Sequence, residues 1–239
     1  MLEQAWTPTA HPSSVTGMSP RTPHFVSLLL ALVALPLVSA VAPKPAHDWV
    51  AMFNGKDLSG WKSNEETPGS FRVEDGAIKV ADGRAHLFYV GPDGAAEFVN
   101  FEFKARVKHM PKANSGIYIH TTYQEKGWPA QGYECQVNST LHGDPRKTGG
   151  LYAVADVRDT APVADGVWFD YVVRVQGRRI VIEIDGKVTT DWTEPADWDP
   201  AKTLTNMPGR RLSSGTFALQ AHDPDSIVYY KDLFVRRLP

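Results

Sequence analysis

Six side chains able to carry acid–base or hydroxyl-binding chemistry fall at alternate positions of three short segments. They are Tyr118 and His120 in residues 116–121, Glu134 and Gln136 in residues 133–138, and Gln220 and His222 in residues 217–222. Ile117 and Ile119, then Tyr133, Cys135 and Val137, then Phe217, Leu219 and Ala221 stand between them. Alternation of period two places such apolar residues on one face of a strand and the polar ones on the other. The polar sets differ from the Lys/Glu mixture of a plain solvated face. Carboxamides, carboxylates and phenols bind hydroxyls, and Glu and His can also move protons near neutral pH. Taken singly, each reads as a surface group, His120 included. If the three strands share one sheet, they make a polar, aromatic-edged face suited to holding a sugar.

Two neighbouring segments could serve the same face. Asn114-Ser115-Gly116 reads either as an Asx-turn or as a turn whose amide reaches the polar row. Trp128, in Gly127-Trp128-Pro129, is either a core aromatic or a platform on which a sugar ring stacks, and the platform is the expectation here. Other chemistries lack support. No histidine pair has metal-ligand spacing, and Asp144, Asp156, Asp159 and Asp165 do not form a calcium loop. No Gly-x-Ser-x-Gly elbow is present, and a single cysteine cannot build a thiolate metal cluster. No cofactor and no metal is expected. Cys135 reads as a small buried hydrophobe with no basic neighbour to activate it.

The elements that must position these residues are strands. Residues 71–73 and 77–80 flank Asp75-Gly76, a hairpin turn. In residues 98–107, Phe101, Phe103, Ala105 and Val107 share a face, with Glu102, Lys104 and Arg106 opposite. Residues 168–176, 179–185 and 187–190 form a meander turned at Gly177 and at Asp185-Gly186, and residues 216–221 and 227–236 close the set. Residues 192–211 hold three prolines without alternation and read as a long loop, functional or mobile. About a dozen short strands with no long helical periodicity predict an all-β jelly-roll sandwich of two antiparallel sheets. A formal net charge of −2 gives no electrostatic reason to expect nucleic acid as a partner.

The N-terminal portion differs. Residues 25–38 are a nearly unbroken apolar run preceded by Arg21 and followed by Ala40-Val41-Ala42. That is the pattern of a secretory signal peptide, too short to span a bilayer comfortably. The expected division is an extension and signal peptide over residues 1–42, a spacer over 43–48, and one β-sandwich domain over 49–239. Met18 offers an alternative start, and no cysteine follows the cleavage site to carry a lipid anchor. An exported, periplasmic or secreted protein with no membrane attachment after cleavage is expected. With one cysteine, its stability must come from its core.

The same segments carry a resemblance. Phe53-Asn54-Gly55-Lys56-Asp57-Leu58-Ser59-Gly60-Trp61 opens the series. Phe71-Arg72-Val73-Glu74-Asp75-Gly76, Asn114-Ser115-Gly116-Ile117, Gly132-Tyr133-Glu134-Cys135-Gln136-Val137 and Thr148-Gly149-Gly150-Leu151-Tyr152 come next. Leu219-Gln220-Ala221-His222 and Tyr230-Lys231-Asp232-Leu233 end it. In this order they resemble the 3-keto-disaccharide hydrolase domain family, over about residues 49–238. The resemblance implies a concanavalin A-like jelly roll in an exported bacterial protein. It further implies cleavage of glycosides already oxidised at C3, with Glu134, Gln136 and His222 in the pocket and Asn114 and His120 near them. The chain departs from the family pattern at Ala221, where Asp is common, at Phe169, where Asn is common, and at His120, where Arg is common. An altered pocket is one expected consequence.

A 3-keto group acidifies the C2 proton, so a base can remove it and the C1 substituent can leave. His222 is expected as the general base, assisted by Glu134. Asn114, Tyr118, His120, Trp128, Gln136 and Gln220 are expected to bind the small carbohydrate substrate. The alternative is a non-catalytic carbohydrate-binding sandwich, and a third reading is a partner-binding domain at the cell surface. Glu134 with His222 favours an enzyme, since a binder needs no titrating base.

Overall fold

The computed structural model of the protein describes residues 48–64 and 66–239. The expected signal peptide, the extension before it and nearly all of the spacer lie outside the described residues. In chain order the strands are β1 (Val50–Ala51), β2 (Trp61–Ser63), β3 (Phe71–Glu74), β4 (Ala77–Val80) and β5 (Ala85–Tyr89). They continue with β6 (Phe101–His109), β7 (Asn114–Thr121), β8 (Tyr133–Asn138), β9 (Arg146–Leu151) and β10 (Ala155–Arg158). The last five are β11 (Phe169–Gln176), β12 (Arg179–Ile184), β13 (Lys187–Thr193), β14 (Thr216–Ala221) and β15 (Val228–Arg237). One helical turn, α1 (Pro200–Thr203), stands between β13 and β14.

These strands form two antiparallel sheets, a concanavalin A-like jelly-roll sandwich. One sheet runs β13-β12-β11-β6-β15-β4-β3, with β1 added along β15; the other runs β10-β9-β8-β7-β14-β5-β2. The alternation in β6 and β11 is that of strands with one wet face, and their inward residues meet those of the second sheet. At the centre Phe103 stacks on Phe217 with ring centroids 5.1 Å apart, and Phe101 meets Phe217 edge-on at 4.8 Å. Ile117, Ile119, Cys135, Val137 and Leu219 complete the inner face of the second sheet, all fully buried. Each such side chain contributes about 1.5–3 kcal/mol on burial. Burial also pushes the Cys135 thiol above its ordinary pKa, so the cysteine is an inert part of this core.

The register of the second sheet sets the site. β8, β7 and β14 are adjacent, so the three polar rows do share one face. Tyr118 pairs with Glu134 and Gly116 with Gln136. Ala218 pairs with Tyr118, and Gln220 with His86 on β5. That face is not open to solvent, contrary to the sequence reading: Tyr118, Glu134, Gln136 and Gln220 are all buried. Loops cover it, chiefly the stretch from 194 to 215. This stretch is pinned rather than loose. Glu194 Oε2 accepts from Tyr133 Oη at 2.6 Å and from the Leu212 N–H at 2.8 Å, and Trp198 Nε1 donates to the Arg210 carbonyl at 2.7 Å. The expected loop therefore begins as the end of β13, contains α1, and closes over the sheet.

Candidate active site

A cavity of about 670 Å³ opens over the second sheet. Asn114, Tyr118, Glu134, Gln136, Gln220 and His222 line it from the strands, Trp128 from the loop before β8, and Asn206, Met207 and Arg210 from the pinned loop. Its size suits a mono- or disaccharide. A second cleft, of about 710 Å³, lies across the seam where Gly132 N–H donates to the Gly209 carbonyl at 3.0 Å. It is marginally larger, but among the described residues no buried ion pair faces it, so the first is the candidate site.

Glu134 is the hub of the floor. Its Oε2 accepts from Tyr118 Oη at 2.9 Å and from Arg210 Nη2 at 3.1 Å, while Oε1 accepts from Gln220 Nε2 at 2.9 Å. Gln220 Nε2 also reaches Tyr118 Oη at 3.2 Å. The Arg210 guanidinium lies 5.1 Å from the centre of the Tyr118 ring. Burial opposes its charge, but Tyr118 and Glu134 outweigh burial and hold it protonated. Burial, with the Glu134 charge, raises the Tyr118 phenol well above its usual pKa, so the phenol keeps its proton. Gly116 creates the space for this hub: a Cβ there would lie 2.7 Å from Glu134 Oε1 and 2.8 Å from Glu134 Cγ. The Asn114 and Gln136 amides meet at 3.0 Å alongside.

His222 stands at the rim with its Nδ1 2.8 Å from Asp223 Oδ2. Asp223 is itself held: Oδ2 accepts from Ser226 Oγ at 2.7 Å and Oδ1 from the Asp225 N–H at 3.0 Å. Burial raises the Asp223 pKa, but the bonds from Ser226, His222 and Asp225 overcome it and leave the carboxyl below its ordinary value. An anionic Asp223 fixes the proton of a neutral His222 on Nδ1 and leaves Nε2 as the basic nitrogen. His142 lies nearby, its Nε2 3.8 Å from Asp223 Oδ2. The three residues are grouped closely enough to suggest metal ligands, a cluster that sequence spacing does not show. Yet His142 Nδ1 accepts from the Asp144 N–H at 3.0 Å, which places the proton of a neutral ring on Nε2. A nitrogen that carries its proton cannot ligate, so the donor set does not fit a metal.

His120 is not in the cavity. Its φ of +54° marks an irregularity in β7, where the pairing with β14 shifts between Thr216 and Ala218. The side chain turns to the inner side of the sandwich and meets Phe101 with ring centroids 5.5 Å apart. Its Nδ1 accepts from the Ser213 N–H at 3.3 Å and its Nε2 donates to the Val99 carbonyl at 2.8 Å. Burial lowers its pKa, and its place is that of a structural tie. Ala221 and Phe169, the other departures from the family pattern, are also buried in the core rather than placed in the cavity. None of the three alters the pocket lining directly. Arg210 is the main residue that sequence reasoning missed. It sits in a loop without periodicity, and only the density of polar and proline residues around it marks the stretch.

Fold and site together define a jelly-roll sandwich whose second sheet carries a roofed, polar, hydroxyl-matching pocket. The chain belongs to the 3-keto-α-glucoside-1,2-lyase-like domain family, whose profile matches residues 48–236. A 3-keto-disaccharide hydrolase of Bacteroides thetaiotaomicron is 30% identical over 99 residues, which cover 39% of this chain and 34% of that protein. The match thus spans about a third of the length of that relative. Among solved structures, one described as a candidate glycosyl hydrolase from Parabacteroides distasonis superposes with a TM-score of 0.68 at 24% identity, covering 81% of this chain and 95% of that one. A galectin-like protein of unknown function from Bacillus subtilis gives a TM-score of 0.55 at 10% identity, covering 80% and 95%. At these identities the structural likenesses establish the fold.

Proposed function

We propose that the protein is an exported enzyme that cleaves 3-keto-glycosides by proton abstraction at C2 and elimination at C1. The observation that carries this reading is the His222–Asp223 contact at 2.8 Å, which leaves a basic imidazole nitrogen at the rim of a pocket floored by hydroxyl-binding groups. Family membership and the name of the Bacteroides relative support the substrate class.

In the first step His222 Nε2 takes the C2 proton, and the C2–H electron pair delocalises onto the C3 carbonyl oxygen as an enolate. Arg210, held protonated, supplies positive charge near that developing anion. The enolate then collapses: a C1–C2 double bond forms, the C1–oxygen bond breaks, and protonated His222 returns its proton to the leaving oxygen. Water adds across the double bond, its hydroxyl to C1 and a proton to C2, and net hydrolysis results. Glu134 is assigned a different task from the direct assistance expected from sequence. Three donors already occupy its oxygens, so it acts by holding Arg210, Tyr118 and Gln220 in place rather than by taking a proton.

The saturated state of Glu134 also favours a second reading, a carbohydrate-binding sandwich without turnover. Release of the aglycone from 3-keto-lactose, lost in His222→Ala, separates the two. Binding of the sugar without release supports the binder.

A further inference from the structure

His86 is fully buried, yet neither ring nitrogen has a hydrogen-bond partner. It projects from β5 directly opposite Gln220, whose Oε1 is likewise buried without a partner. Two cross-strand neighbours, Gln220 lining the pocket and His86 beside it beneath Trp128, therefore hold unsatisfied polar atoms side by side. Leaving such atoms unpaired is costly, and natural interiors rarely do so without reason. The Trp128 indole covers His86, edge-on at 5.5 Å between ring centroids, with Tyr118 at 5.5 Å on another side.

Trp128 is suited to move. It is 42% exposed and sits on a loop stapled to itself rather than to the sheet. Gln124 Nε2 donates to the Lys126 and Trp128 carbonyls at 2.7 and 2.9 Å, and Gln124 Oε1 accepts from the Ala130 N–H at 2.9 Å. Such a loop can shift as a unit while its internal bonds stay intact. The indole also leans on His222, 5.3 Å away, and under Arg84, 5.4 Å away, so its movement opens the space between the base and His86.

We propose that His86 is a sugar-binding residue of this pocket, covered by Trp128 until a substrate ring displaces the indole and bonds to His86 and to Gln220 Oε1. The atoms define the ligand chemistry. A neutral imidazole offers one donor and one acceptor, and Gln220 Oε1 offers an acceptor. A hydroxyl, which donates and accepts at once, satisfies the pair; an anion would meet Gln220 Oε1 with repulsion. A cation would face Arg84 and Arg210, both close enough to disfavour charge on His86. The displaced indole face is then free to stack on the sugar ring. This inference rests on the sugar-cleaving reading of the same pocket and adds to it a subsite on β5.

The test is His86→Leu and His86→Asn, compared with wild type by steady-state turnover of 3-keto-lactose and by thermal unfolding. His86→Leu removes the orphaned atoms, so its Tm is expected to rise by about 3 °C. Its KM is expected to rise at least tenfold while kcat falls less than threefold, and His86→Asn to recover part of the KM. A merely structural histidine would change Tm without that separation of KM from kcat. If His86→Leu does not fold, the KM of His86→Asn relative to wild type carries the test, with a threefold or larger rise expected. An active wild type with unchanged KM in the folded variants overturns the subsite alone. A wild type that neither turns over nor binds any 3-keto sugar overturns the sugar-cleaving reading and the subsite with it.

Discussion

Arg210 and Glu134 are 76 residues apart in the chain and 3.1 Å apart in the pocket, each with only about a twentieth of its side chain exposed. The pair ties the roof of the cavity to its floor. Removing one member leaves the other as a buried charge without its partner, which costs about 3–5 kcal/mol. Arg210→Met is therefore expected to lose stability of that order in denaturant unfolding. Glu134→Gln should lose less, since a neutral amide can still meet Tyr118. An Arg210→Met variant as stable as wild type would show that the pair is not what holds the roof.

Asp223 is expected to act through His222. Asp223→Asn keeps the size of the side chain but loses its charge, and its one remaining oxygen cannot accept from both His222 and the Asp225 N–H. Turnover of a 3-keto-glycoside should fall about 10²-fold, within the usual range of general-base contributions, with KM little changed. Ser226→Ala, which removes one bond from the same carboxylate, should fall severalfold only. Steady-state kinetics on the three proteins orders these effects.

Gly116→Ala tests the space beneath the hub. A methyl group 2.7 Å from Glu134 Oε1 must push the carboxylate off its three donors. Overpacking of this kind costs about 1–3 kcal/mol. Activity should fall further than stability alone explains, because Arg210 and Tyr118 lose their common anchor. Unfolding and turnover measured on the same sample check both halves.

Acid should weaken the fold in a defined window. Burial, with the Arg84, His222 and Arg210 charges nearby, pushes the His86 pKa from 6.5 down to about 3. Between those values the unfolded chain binds a proton that the folded chain refuses, so stability falls as pH drops below about 6.5 and the loss levels off near 3. The slope approaches about 1.4 kcal/mol per pH unit from this residue. His86→Leu should flatten that slope in denaturant unfolding at pH 4–7. His120, also lowered by burial, contributes a remaining slope of the same sign.

How far the sequence reaches is clear residue by residue. Tyr118, Glu134, Gln136 and Gln220 were legible because β7, β8 and β14 alternate, and alternation assigns faces. Adjacency of those strands was not legible, since pairing order leaves no mark on a single strand. His120 shares the alternation and yet turns away, because an irregularity at this end of β7 reverses the face its side chain takes. β5 reads Ala85-His86-Leu87-Phe88-Tyr89, where a single histidine among apolar residues makes no alternating polar row. His86 was hidden for that reason. Arg210 and Asp223 lie in loops, where position depends on tertiary contacts rather than on period.

The most direct measurement of the central claim uses 3-keto-lactose prepared with deuterium at C2, alongside the protiated sugar and unoxidised lactose. The account expects glucose release from the keto sugar only, a primary isotope effect on that release, and loss of both in His222→Ala. Release from unoxidised lactose at a similar rate, or release that persists in His222→Ala, would contradict it.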